Sequence, residues 1–211
     1  MKIQPVVEGH GEAESVPILL RRLIDEAGAW QIGVGRPVRR TRHQLVHEPE
    51  LTRSVGIALE QPDCGAILIL LDGDDDCPAE LGPCLQRVAA QAARGTPGEV
   101  VIAHREYEAW FLAGFDSLRG HKMLLGRAKT PRDPERPRDA KGRFERMMRR
   151  DTSYVEQVDQ PKFSALFDLQ SARLRSRSFR KLTKSFGSLL QACGHEIAAW
   201  PPGPRTVRDD A

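Results

Sequence analysis

Cysteine is scarce in this chain and poorly spaced for chemistry. Cys64, Cys77, Cys84 and Cys193 make no C-x-x-C pair. Neither a zinc-finger array nor a disulfide framework is expected, and reduced thiols fit a reducing cytosol. Long apolar runs are missing as well. No stretch approaches the roughly 18 residues needed to cross a bilayer. The start, Met1-Lys2-Ile3, lacks the charged, apolar and small-residue order of a secretion signal. A cytoplasmic protein with no membrane partner is the expectation. There is no Walker A sequence, and Gly9 and Gly11 do not complete G-x-G-x-x-G because residue 14 is Glu. No internal repeat occurs.

Charge, by contrast, is abundant and unevenly placed. The net charge of the 211 residues is +3, but residues 1–116 carry −7, residues 117–150 carry +8 and residues 151–211 carry +2. An acidic body joined to a basic arm suits a metal ion and a polyanion together.

The periodicities predict an α/β fold. Residues 3–7 read as a strand. Val16, Leu19, Leu20, Leu23, Ile24 and Ala27 follow at helical spacing, with Ser15 and Pro17 as start signals and Gly28 as a stop. A second strand is expected within 34–40 and a helix around Leu51–Leu59. The unbroken aliphatic run at 66–71 predicts a strand buried on both faces. A third helix and a strand at 99–103 come next, then a helix holding Tyr107, Trp110 and Phe111 as packing residues. Strands alternating with helices imply a parallel sheet with right-handed crossovers. The expected division is an α/β domain over 1–115, a basic, partly flexible segment over 116–150 rich in Pro and charge, and a helical region over 151–211. There Phe179, Leu182, Phe186, Leu189 and Leu190 form an apolar stripe.

Ligands of open α/β sheets collect at the carboxyl ends of the strands. Glu8 follows the first strand, and Asp72 and Asp74 follow the aliphatic one. Glu12 is four residues beyond Glu8. Asp75 and Asp76 extend the cluster, as ligands or as caps of the next helix. Carboxylates held together have raised pKa values unless a cation neutralises them. Mg²⁺, or Mn²⁺, takes oxygen ligands and supports in-line phosphate displacement. Glu8, Glu12, Asp72, Asp74, Asp76 and Glu106 are therefore the candidate metal ligands. Glu106 is preferred over Glu108 because it lies nearer the strand end. His10 reads as exposed.

These residues resemble a known family. A hydrophobic strand, Glu8-Gly, a helix, then a hydrophobic strand and Asp72-x-Asp74 is similar to the Toprim domain of topoisomerases, DnaG-type primases, recombination proteins and overcoming-lysogenization-defect (OLD) nucleases. Glu8-x-x-x-Glu12 looks most like the OLD type. Val7-Glu-Gly-His-Gly-Glu12, Leu70-Leu-Asp-Gly-Asp-Asp-Asp-Cys-Pro78, Arg105-Glu-Tyr-Glu-Ala-Trp-Phe-Leu112 and Ser178-Phe-Arg-Lys-Leu182 resemble a bacterial family called domain of unknown function 4276 (DUF4276). Lys141, Tyr154, Asp159-Gln160 and Arg173 match that family's pattern too. The resemblance implies a Toprim-like (Rossmann-like) sheet and a Mg²⁺-dependent phosphodiester enzyme. It implies Glu8 as general acid or base, Asp72 and Asp74 as metal ligands, and Lys141 beside them. It also implies an ATPase partner and a place in phage defence. The 116–150 segment and helical C-terminus exceed the minimal Toprim fold and leave the substrate open.

Basic residues supply candidate phosphate contacts: Lys141, Arg143, Arg173 and Arg180 stand for two runs, and residues 171–184 contain no acid. A Mg²⁺-dependent nuclease acting on DNA or RNA is the leading expectation. A non-enzymatic adaptor for nucleic acid or an ATPase, keeping the metal site, is the alternative. Homo-oligomerisation is left open.

Overall fold

A computed structural model of the chain describes residues 1–197 and 199–201. Its order is β1 (Lys2–Val7), α1 (His10–Ala27), β2 (Gly33–Val34), β3 (Val38–Arg39), α2 (Arg42–Val46), α3 (Glu48–Leu59), β4 (Cys64–Asp72), α4 (Pro78–Ala92) and β5 (Gly98–Ala103). Then come α5 (Ala109–Ala113), α6 (Phe115–Leu118), α7 (Ala140–Glu145), α8 (Glu156–Leu166), α9 (Leu169–Arg175) and α10 (Arg177–Ala192). The sheet runs β2-β1-β4-β5, with β3 also on β1, and all pairings are parallel. The α/β parallel-sheet architecture expected from the sequence is the one observed.

The aliphatic run became β4, whose alternate side chains face opposite layers. Leu68 and Leu70 join one core with Val7, Leu19, Leu20, Leu23 and the aromatics. Ile67, Ile69 and Leu71 join a second core with Val55, Leu85 and Val88. Each fully buried aliphatic side chain contributes about 1.5–3 kcal/mol. The α10 stripe is buried as expected, against β5 and the aromatic cluster.

Two local expectations differ. The helix after β1 begins at His10, ahead of the Ser15 and Pro17 signals; Pro17 sits inside it. The expected strand at 34–40 is split into β2 and β3. They pair with the start and end of β1, on either side of Pro5. Pro5 has no N–H to offer a neighbour, so the gap falls where the ladder would lack a donor.

The segment 116–150 reads from its sequence as basic and partly flexible. It instead places Leu124, Ala140, Phe144, Met147 and Met148 in the same core as β1, β4 and α10. Leu125 N–H donates to Met147 O, and Arg149 N–H to Met123 O, closing the segment on itself. Its charges sit between apolar anchors too sparse to read as a pattern.

The strand registers position the site. Val7 pairs with Leu70, and Asp72 with Ala103. The carboxyl ends of β4 and β5 therefore finish level and β1 ends two residues short of them, which sets Glu8, just past β1, beside Asp72 at one rim. Among the described residues no helix is long and apolar enough to cross a membrane.

Candidate active site

Three strand ends and three helices supply the rim. Glu8 leaves β1, Asp72 ends β4, and Glu106 and Glu108 follow β5. Glu12 comes from the first turn of α1. Lys141 comes from α7, and Glu156 and Gln160 from α8. The first turn of α1 meets α8 so closely that a Cβ on Gly11 would fall 2.6 Å from Gln160 Oε1 and 2.7 Å from Glu156 Cγ. Glycine at 11 is thus favoured by close approach.

The carboxylates crowd one another. Glu8 Oε2 accepts the Asp72 N–H at 3.2 Å. Burial pushes the Glu8 carboxyl up to about 7; Glu12 and Asp74 add to the rise, against the Asp72 N–H and Arg42. Asp72 is raised well above the usual carboxylate range by burial, then by the charges of Glu12, Glu108, Glu8 and Glu106. Glu12 is raised by burial and by Glu156. Glu106 is raised by burial, although its Oε2 accepts the Lys141 N–H at 2.7 Å. Glu108, only 3% exposed, is pushed up by burial to about 7.

Beneath the rim lies a buried polar layer. Gln160 is fully buried. Its Nε2 donates to Glu12 Oε1 at 3.1 Å and to Glu108 Oε1 at 3.3 Å, and its Oε1 accepts from Ser15 Oγ at 2.9 Å. Tyr154 donates its hydroxyl to Glu108 at 2.8 Å. One amide and one phenol thus tie two carboxyls that would otherwise repel. Lys141 Nζ pairs with Glu156 Oε2. Burial alone would lower the Lys141 pKa; Glu156, Glu108 and Glu106 hold it above its usual range.

The aspartates after Asp72 meet arginines. Arg42, at the start of α2, donates to the carbonyls of Asp72 and Gly73 and pairs with Asp74 at 3.0 Å and with Asp76. Arg105 and Arg138 hold Asp75. Asp74 and Arg105 both adopt positive φ, at 46° and 68°, and lace together: Asp74 N–H donates to Arg105 O, and Arg105 Nη1 to Asp74 O. Two non-glycine residues in that region cost of order 1–3 kcal/mol each, held by this lacing. The expected capping role of Asp75 and Asp76 is not met, because Cys77 occupies the N-cap position of α4.

Of the predicted residues, the structure brings together Glu8, Glu12, Asp72, Glu106 and Lys141. Asp74 is exposed and pairs with Arg42, yet its charge acts on both Glu8 and Glu106; Asp76 lies exposed on the Arg42 side. Arg143 lies two residues beyond Lys141. Arg180 donates to backbone carbonyls of Arg173 and Leu174. Arg173 corrects an expectation: its side chain is 8% exposed and grips Glu26 with both terminal nitrogens, which leaves it no phosphate to hold. His10 is exposed as expected.

Arg42, Glu108 and Glu156 were not chosen from sequence. Glu156, Gln160 and Ser164 fall at i, i+4 and i+8, and Gln160 and Ser164 are fully buried. A helix whose inward stripe is polar is a signal that could point to Glu156 and Gln160; Arg42 and Glu108 carry no such signal.

In chemical kind the site fits a hard divalent cation, because its donors are carboxylate oxygens and its unpaired charge is negative. Their positions are not a finished cage. Among the described residues no group of three or more His, Cys, Asp or Glu is arranged to hold a metal ion. Glu8, Glu12, Glu106 and Glu108 each accept a hydrogen bond from a protein donor instead, whereas the Asp72 carboxyl accepts none among the described residues.

The family model described as "Domain of unknown function (DUF4276)" matches residues 7–186. No curated protein matches. Among solved structures, the C-terminal region of the Xanthomonas campestris pv. campestris OLD protein is similar at 16% identity and a TM-score of 0.39. The match covers 90% of this chain and 92% of that one.

Proposed function

We infer that this chain, which belongs to the family described as domain of unknown function (DUF4276), is a divalent-cation-dependent phosphodiester enzyme of the nuclease class. One observation carries the reading: Glu8, Glu12, Asp72, Glu106 and Glu108 crowd one rim, and burial, with repulsion from neighbouring acids, raises every one of their pKa values. Such a set lowers its energy by taking a cation, and Mg²⁺ or Mn²⁺ matches its oxygen donors. Asp72, Glu8, Glu12 and Glu106 are the residues that would hold it. A bound cation would supply positive charge against the charge developing on a phosphate during transfer.

The chain's own groups divide the remaining work. Glu8 exchanges a proton near neutral pH, which suits a general acid or base. Lys141 offers an ammonium to a phosphate oxygen once it leaves Glu156. Gln160 and Tyr154 orient Glu12 and Glu108. DNA or RNA is the proposed substrate, and an ATPase partner with a role in phage defence completes the proposal. The test is incubation of purified protein with DNA and RNA in Mg²⁺ and Mn²⁺, with and without an ATPase partner. Cleavage that Asp72→Ala abolishes supports it, and no cleavage under any condition overturns it.

A second reading is a non-enzymatic adaptor that keeps the acidic pocket. Its support is that Gln160 and Tyr154 satisfy the inner carboxyls without any ion. Metal stabilisation with no turnover would favour it.

A further inference from the structure

The basic segment is not uniformly basic once its ion pairs are assigned. Arg119 pairs with Asp116, Arg138 with Asp75, Lys141 with Glu156, Arg146 with Asp139 and Arg149 with Asp151. These charges are locally neutralised. Arg132, Arg136, Arg143 and Arg175 form no such pair among the described residues, and all four line one open groove of about 900 Å³. The one acid on that groove, Asp133, has its Oδ1 turned to the Glu135 N–H. Gathering like charges without partners costs energy unless an anion is bound, because each guanidinium stays charged at any working pH.

The groove is built rather than incidental. Arg175 donates to Ala113 O at 3.0 Å and also to Pro131 O, which pins the segment 131–137 to the body. Pro131, Pro134 and Pro137 each fix φ along that wall. The other wall is α7. That short helix holds Lys141, whose N–H binds Glu106 in the acidic site, and Arg143, two residues on, in the groove. One rigid turn of chain therefore touches both places.

We propose that Arg132, Arg136, Arg143 and Arg175 form a track for a nucleic-acid backbone that delivers a phosphodiester across α7 to the acidic rim. It rests on the reading of that rim as a phosphodiester site. A run of unpaired guanidiniums in an open groove matches a repeating phosphate, whereas a lone phosphate would need fewer. Contacts of this kind position the strand without reading its sequence.

The test is binding of labelled DNA and RNA oligonucleotides, single-stranded and duplex, in EDTA across a salt series. The wild-type protein is expected to bind at least one of them with a steep salt dependence. R132A/R136A/R143A is expected to weaken binding at least tenfold at low salt. Its log K against log salt slope should flatten by roughly 0.7–0.9 per lost contact, about 2–3 in total. R132K/R136K/R143K keeps the charge and should keep the slope. Arg87→Ala, an exposed cation on α4, should change nothing. An unchanged slope in the triple alanine variant, an equal loss in Arg87→Ala, or no binding by the wild type overturns the track. If the slopes behave as expected but no nucleic acid is cut in Mg²⁺ or Mn²⁺, the track stands and the enzymatic reading falls. Cleavage that persists beside an unchanged slope removes the track alone.

Discussion

Glu8 Oε2 accepts the backbone N–H of Asp72 at 3.2 Å, joining the end of β1 to the end of β4. This bond holds one oxygen of Glu8 at the rim, and burial keeps its proton labile near neutral pH. Glu8→Gln preserves the shape and the accepting oxygen but cannot exchange that proton. The expected outcome is a rate loss of about 10²–10⁴-fold. It is checked by single-turnover cleavage, together with loss of the pH-rate limb near 7. Full activity in Glu8→Gln would remove its assigned role.

Stability should fall with rising pH when divalent cations are chelated. Glu108 moves from an ordinary 4.5 to about 7 because burial disfavours its charged form. The unfolded chain therefore gives up this proton earlier than the folded one, and fewer protons are bound in the unfolded state between those values. Its contribution is fully present below about 4.5 and lost as pH rises through about 7. For Glu108, 3% exposed, this amounts to about 3 kcal/mol. Denaturant titrations at pH 5.5 and 8 should show the decline, and Glu108→Gln should shrink it.

Mg²⁺ or Mn²⁺ should restore what the higher pH removes. A cation at 100 times its dissociation constant stabilises by about 2.7 kcal/mol. In a chain of this size, that is a rise in Tm of roughly 5–10 °C. The shift should be larger at pH 8 than at pH 6, since protons and cations compete for the same oxygens. Asp72→Ala should abolish it. Differential scanning calorimetry in EDTA and in Mg²⁺ provides the readout.

Arg173→Ala should destabilise the protein by about 3 kcal/mol, because it strands Glu26 half-buried without its partner. Nucleic-acid affinity should not change. Denaturant midpoints and oligonucleotide binding measured on one preparation separate the two effects.

Gly11→Ala tests the seam between α1 and α8. The new methyl must push against Gln160 and Glu156, and such overpacking costs about 1–3 kcal/mol. Urea melts should register it, and an unchanged melt would show that the seam yields freely.

The layout of the sheet could be read from sequence because β4 is an unbroken aliphatic run ending at Asp72. Strand ends are where ligands of such sheets gather, which is why Glu8, Asp72 and Glu106 stand out as candidates, and the structure places all three at one rim. What failed depended on partners distant in sequence. The Arg42 that pairs with Asp74 and Asp76 could not be placed beside them from sequence. Arg173 looks like part of a basic run until Glu26, from α1, faces it. The segment 116–150 looks loose because Leu124, Phe144, Met147 and Met148 are widely spaced among charges. Glu156 and Gln160 belong to the site only because Gly11 lets α8 approach.

The most direct measurement is an anomalous difference map from crystals soaked in Mn²⁺ at pH 8. A peak about 2.2 Å from a carboxyl oxygen of Asp72, shared with Glu8 or Glu12, is predicted. A saturating soak that leaves this rim without a peak, or that loads a site elsewhere and not here, would contradict it.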